Sequence, residues 1–135
     1  MYDHILIPVA LDHEALVEKK IETAQQLLST DGKITLLTVL ENVPGFVAEF
    51  VTVKSENHIS NKVRERLEEV VGDRSNMAVS VITGKPGVEI TRFAKSGDVD
   101  LIVVGSHQPG IEDYFLGSTA ARVARRSPCS VLIVR

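Results

Sequence analysis

Five short runs rich in isoleucine, valine and leucine recur along the 135-residue chain and alternate with segments of helical spacing. The runs are HILIPV, KITLLTVL, MAVSVITG, DLIVVGS and CSVLIVR, and several are continuously apolar. Such runs are typical of strands covered on both faces, as in a parallel sheet. The alternation predicts a doubly wound, Rossmann-like α/β fold with right-handed crossovers, a five-stranded parallel sheet in the order 3-2-1-4-5 and four helices on both faces.

Four segments between these runs carry the helical pattern, and they predict helices over 13–28, 59–71, 86–97 and 117–127. Pro86 suits a first helical turn, and Gly97 marks the end of the same helix. The stretch from Glu41 to His58 is longer than an ordinary strand-to-helix loop. We expect its Phe46 and Phe50 to pack against the core, with a lid or partner surface as the alternative. Residues 1–135 are predicted to form one domain.

Composition excludes several classes of function. A net charge of −3, an aromatic content of 4% and the lack of tryptophan argue against nucleic-acid binding. One cysteine, Cys129, excludes an internal disulfide and a zinc site built on cysteines. No run approaches the roughly 20 apolar residues of a membrane helix, and the first residues do not resemble a signal peptide. We therefore expect a cytoplasmic protein without membrane insertion.

The ends of strands 1 and 4 are the predicted ligand site, because doubly wound sheets bind ligands at the carboxyl edge where the strand order reverses. Pro8 has no N–H, so strand pairing is predicted to stop there and to leave the following backbone facing a ligand. The residues predicted to line the crevice are Pro8, Val9, Ala10, Gly105, Ser106 and His107.

The segment GSHQPGIEDYFLGST, from Gly105 to Thr119, follows strand 4 and leads into the last helix. Gly117, Ser118 and Thr119 open that helix, where unpaired N–H groups and the helix dipole favour an anion. Taken alone, this tripeptide is also an ordinary helix cap. The segment is neither a Walker A loop nor a dinucleotide-binding G-x-G-x-x-G motif.

The chain resembles the universal stress protein family along its whole length, through ILIPV, VITGKPGVEI and the block from DLIVVGSHQPG to the last residue. Nucleotide-binding members carry Gly-x2-Gly-x9-Gly-(Ser/Thr) in that block. Gly105, Gly117 and Ser118 match it, whereas Gln108 replaces the middle glycine and one residue fewer separates the outer glycines. Ala10 stands where many relatives have aspartate. The shortened loop is similar to that of the F/G-type bacterial branch.

The resemblance implies an adenine-nucleotide-binding regulatory protein that acts through nucleotide-dependent conformation and dimerisation. The cofactor would be ATP or AMP, with any Mg²⁺ carried by the nucleotide. Adenine would contact Pro8, Val9 and Val39. The phosphates would contact the backbone of 105–107 and 117–119, helped by the hydroxyls of Ser118 and Thr119.

No catalytic residue and no metal site of the protein itself is predicted. A slow ATPase or an adenylyl or phosphoryl transferase using the same crevice is one alternative, and a dimeric scaffold without nucleotide is another. The last strand is apolar and lies at a sheet edge, which favours a homodimer formed through Ser130–Arg135. A further protein partner, of unknown kind, is expected for a regulatory protein.

Overall fold

The computed structural model describes residues 1–10, 16–41, 53–106 and 116–135, and for 53–57 it describes the backbone only. The described chain forms five strands and four helices that alternate. Their bounds are β1 Tyr2–Pro8, α1 Val17–Leu27, β2 Leu28–Leu40, α2 Val53–Val71, β3 Met77–Thr83, α3 Pro86–Ser96, β4 Leu101–Gly105, α4 Ser118–Arg126 and β5 Ser130–Val134.

The strands form one parallel sheet in the order β3-β2-β1-β4-β5. This confirms the predicted doubly wound fold and its strand order. From β1 the chain adds β2 and then β3 on one side of the sheet. It then crosses back and adds β4 and β5 on the other side of β1, so the order reverses between β1 and β4. The sequence therefore identified the correct pair of strands for the topological switch.

Alternate residues of each strand enter two separate core clusters, one on each face of the sheet. Ile5 and Ile7 of β1 pack under α1 and α2, whereas Leu6 packs under α3 and α4. All three side chains are fully buried. Because both faces are covered, consecutive residues of β1 and β4 are buried and apolar, which explains the continuously apolar sequences of these strands.

Several element boundaries differ from those that hydrophobicity predicts. The helix α3 begins at Pro86 and is capped at Gly97, whose N–H donates to the carbonyl of Phe93 at 2.9 Å, as expected. The strand β2 begins at Leu28, inside the segment predicted as helix, and the helix α2 begins at Val53, earlier than predicted. Phe46 and Phe50 lie outside the described residues.

A glycine brings α3 and α4 into close contact on one face of the sheet. Gly87 is buried in the first turn of α3, and a Cβ atom added there would lie 2.5 Å from Cδ of Arg122 on α4. A larger residue at this position would displace the Arg122 side chain. The glycine therefore allows α3 and α4 to pack closely on this face of the sheet. None of the described helices is both long and apolar enough to span a bilayer.

Candidate functional site

The ladder between β1 and β4 ends early, and Pro8 explains where it ends. The paired residues are Ile5 with Leu101 and Leu6 with Ile102. Backbone groups of β1 alternate between the two neighbouring strands. His4 turns its carbonyl toward β4, where it accepts from the N–H of Asp100 at 3.0 Å, so Leu6 and Pro8 face the same way. The next rung would need an N–H that proline lacks.

On its other side, β1 remains paired beyond Pro8, and this corrects the prediction that pairing stops there. Pro8 pairs with Leu37 of β2, and the N–H of Val9 donates to the Leu37 carbonyl at 2.8 Å. The hydroxyl of Thr38 then donates to the Val9 carbonyl at 2.9 Å. Val9 is therefore held by β2, and only the β4 side of Pro8 is released from the ladder.

The two ends of the glycine-rich segment meet at this edge of the sheet. The N–H of Gly117, just before α4, donates to the carbonyl of Ser106, just after β4, at 2.8 Å. Ser106 is fully buried, and its own N–H donates to the carbonyl of Val134 at 3.0 Å. The amide of Ser106 is thus used within the sheet, so the backbone donor expected there from the sequence is not available to a ligand.

The start of α4 has the features expected of an anion site. Gly117 occupies the N-cap position and has no side chain that could satisfy the N–H groups of the first turn. Ser118 is exposed and Thr119 is half-buried. The backbone of Gly117 has a φ of −59°, which any residue can adopt, so the absence of a side chain rather than an unusual conformation distinguishes this position.

The residues predicted to contact adenine lie in two different layers. Val9 belongs to the core cluster under α1 and α2, and the half-buried Val39 packs against the cluster under α3 and α4. Their side chains therefore do not form one continuous wall. Pro8 is half-buried and Ala10 is exposed at the same edge. The adenine contacts remain a prediction.

Lys20 is a residue of this edge that the sequence reasoning missed. It lies on α1 with only 4% of its surface exposed, and its Nζ donates to the Pro8 carbonyl at 2.9 Å. Burial lowers the pKa of Lys20 from 10.5 to about 8, because removal from water disfavours the charged form. The available signal was its spacing, since it is three residues after Val17 and four before Ala24, both of which are buried.

Some predicted positions lie outside the described residues. His107 is one of them, as is Gln108, which replaces the family's middle glycine. Gly105 is described. It is the last residue of β4 and lies near Leu16, the residue that precedes α1. A Cβ atom added to Gly105 would lie 3.2 Å from Cδ1 of Leu16, so the start of α1 packs close to the end of β4.

The strand order, the covered faces and the open edge at the β1–β4 boundary define a doubly wound α/β protein of the kind that binds ligands at its topological switch. The model of the universal stress protein family matches residues 1–135. The chain belongs to the universal stress protein family.

Similar proteins place the chain more closely within the family. It is 32% identical to universal stress protein G of Salmonella typhimurium, with 100% of both chains covered, which confirms the resemblance to the F/G-type branch. It also shares its fold with a hypothetical protein whose biochemical function was assigned from structure. That likeness has a TM-score of 0.82 at 23% identity and covers 99% of this chain and 96% of the other.

Two other solved structures of the same fold contain adenine nucleotides. One is a universal stress protein in complex with cAMP, with a TM-score of 0.65, 20% identity and coverage of 99% and 97%. The other is the universal stress protein from Archaeoglobus fulgidus in complex with dAMP, with a TM-score of 0.64, 14% identity and coverage of 99% and 98%.

Proposed function

We propose that this chain binds an adenine nucleotide, ATP or AMP, at the β1–β4 boundary and regulates a partner through nucleotide-dependent conformation. The observation that carries the proposal is the Gly117–Ser106 hydrogen bond of 2.8 Å. It holds the uncapped first turn of α4 against the end of β4, at the edge where folds of this class bind ligands. The cAMP and dAMP complexes of two related folds support an adenine nucleotide as the ligand.

The phosphates are assigned to the first turn of α4. The N–H groups of Ser118 and Thr119 have no acceptor within the helix, and the dipole adds positive potential there. Their hydroxyls supply further donors. Pro8, Val9, Ala10 and Val39 are assigned to the nucleoside, and Gly105 and His107 to the phosphates. Any Mg²⁺ would arrive with ATP and keep most of its waters.

Mass spectrometry of the denatured, freshly purified protein tests the proposal first, and a released adenine nucleotide is the expected result. Calorimetry then compares ATP binding by the wild type and by Gly117→Val. The backbone at Gly117 accommodates valine, so weaker binding would report obstruction of the phosphates rather than strain. Ala78→Val is the matched control, because Ala78 is exposed on the edge strand β3. Equal affinity of Gly117→Val and wild type would refute this site.

The two alternatives are outcomes of the same experiments. Sustained multiple turnover of ATP that is lost on changing His107 or Ser118 would make the protein an enzyme. Absence of nucleotide from the purified protein, together with no measurable ATP binding, would leave the dimeric scaffold.

We also propose that two copies pair through Ser130–Arg135. β5 is an edge strand of the sheet, and its apolar residues Val131, Leu132 and Ile133 are half-buried in the single chain. Pairing with a second copy would satisfy this edge. Sedimentation equilibrium at micromolar concentration is expected to give twice the 14.8 kDa of the chain, and a value of one chain mass would contradict the dimer.

A further inference from the structure

The Lys20 ammonium lies where the β1–β4 ladder stops. Pro8 turns its carbonyl toward β4, as His4 does four residues earlier in the same strand, and this carbonyl accepts from Lys20 Nζ at 2.9 Å. A positive charge is therefore placed at the boundary between the two strands, on the carboxyl edge of the sheet. This is the edge that carries the Gly117–Ser106 contact.

A second contact of α1, besides the Lys20–Pro8 hydrogen bond, supports this position of the Lys20 ammonium. Leu16 and Lys20 are four residues apart and so share one face at the start of α1. Leu16 packs near Gly105 on β4, and Lys20 reaches Pro8 on β1. The first turns of α1 thus lie across the two strands, with the ammonium between helix and sheet edge.

The charge of Lys20 is not compensated within the part of the chain that the structure describes. No described carboxylate forms a salt bridge with it, and its partner there is one neutral carbonyl. An ammonium has three N–H donors, so two remain beyond this contact. A buried charge held by a single carbonyl is unfavourable unless an anion completes it. Lys20 retains its charge at pH 7, because its pKa of about 8 is still above that pH.

We propose that the Lys20 ammonium binds the phosphate chain of the nucleotide, as a cationic ligand from the α1 side that supplements the first turn of α4. The inference rests on the proposed function and adds to it the specificity of the site. With Lys20 as a ligand, affinity depends on the phosphates, and the protein distinguishes ATP from adenosine. The N–H groups of α4 bear only partial charges, whereas Lys20 contributes a full positive charge.

Calorimetry of ATP and adenosine binding to the wild type, Lys20→Met and Lys19→Met tests the inference. Methionine keeps the length of the side chain and removes its charge. Lys19, its exposed neighbour on the same helix, is the matched control. We expect Lys20→Met to weaken ATP binding by about tenfold or more, in the range of a charged hydrogen bond, with adenosine affinity within about twofold. ATP affinity equal to wild type in a folded Lys20→Met protein would overturn the inference and leave the proposed function standing.

A second measurement separates the two proposals. Tripolyphosphate offers the anion without the base, and NMR follows the ε-methylene resonance of Lys20 as it is added. A shift of this resonance in a protein that binds no adenine nucleotide would retain Lys20 as a polyphosphate ligand and reject the nucleotide. No shift with tripolyphosphate, together with no ATP binding, would reject both proposals. A thermal melt of each variant verifies that it is folded.

Discussion

The two ends of β1 each hold a buried basic side chain, and the two are treated differently by their surroundings. At the amino end, His4 is buried and both ring nitrogens have partners, Gly97 O and Thr35 Oγ1, each at 2.9 Å. At the carboxyl end, the described partner of Lys20 is one carbonyl, that of Pro8. The His4 ring has all its hydrogen-bond partners within the fold, whereas the Lys20 ammonium has N–H donors beyond its bond to Pro8.

The hydrogen bonds and the burial of His4 together indicate a neutral ring. The Gly97 carbonyl can only accept, so Nδ1 carries a hydrogen. Burial lowers the pKa of His4 below 6.5, so at pH 7 Nε2 has no hydrogen and accepts from the hydroxyl of Thr35. The Asp100 carboxylate completes this end by accepting from the backbone N–H groups of Asp3 and His4 at 2.8 and 3.0 Å. A neutral, fully bonded histidine serves stability. A charged, incompletely bonded lysine at the opposite edge indicates a ligand.

The largest expected effect is a loss of stability when His4, the fully hydrogen-bonded side chain at the amino end of β1, is replaced. His4→Ala leaves the Gly97 carbonyl and the buried Thr35 hydroxyl without their ring partner and creates a cavity. We expect the free energy of unfolding to fall by about 2–4 kcal/mol, as measured by urea denaturation. His58→Ala is the control, since His58 is exposed, and it should change stability by less than about 0.5 kcal/mol. A small effect of His4→Ala would remove the contrast between the two ends of β1.

The second prediction is that replacing Lys20, unlike replacing His4, increases the stability of the protein. Replacing a buried, incompletely paired ammonium by methionine removes the cost of burying charge, so Lys20→Met is expected to be more stable than wild type at pH 7 by roughly 1–3 kcal/mol. The variant that loses ATP affinity would therefore gain stability.

The stability advantage of Lys20→Met is expected to depend on pH. The pKa of Lys20 is about 8 in the folded chain and 10.5 as its ordinary value. Between these values the unfolded chain binds one proton more, so the wild type gains stability as pH rises through this window, and the advantage of Lys20→Met shrinks. Denaturation at pH 7 and pH 10 measures the change, with Lys19→Met as control. An advantage that stays constant with pH would show that burial does not lower the pKa of Lys20.

The fold could be predicted from the sequence because both of its faces are covered. Ile5, Leu6 and Ile7 are consecutive, apolar and all buried. A strand with one face in water would alternate apolar and polar residues, so the continuous run indicates a strand covered on both faces. The start of β2 could not be predicted in the same way. Residues 28–32 include the polar Ser29 and Thr30, and they become strand because Leu28 pairs with Tyr2 across a shift in register. Pairing with a neighbour decides such an end, and hydrophobicity does not.

The candidate site was predicted at the level of elements rather than of individual contacts. The glycine-rich segment and Pro8 predict a site at the carboxyl ends of β1 and β4, since both effects are local to their residues. The use of the Ser106 amide by Val134, and the burial of Lys20 against Pro8, depend on which elements become neighbours. A lysine at the margin of an apolar helix face is normally solvated, so only the packing of α1 across β1 and β4 reveals its position.

The smallest expected effect is the acid titration of His4. Burial lowers the pKa of His4 below its ordinary value of 6.5, against the opposing hydrogen bond to Gly97, so the folded chain holds the ring neutral. Below about pH 6.5 the unfolded chain binds a proton that the folded chain does not, and the wild type loses stability as pH falls through this range. His4→Gln does not titrate, so the stability difference between the two proteins, measured by urea denaturation from pH 7.5 to pH 5, should narrow toward acid. A difference that widens toward acid would mean that the buried ring accepts a proton, and the two ends of β1 would then both carry charge.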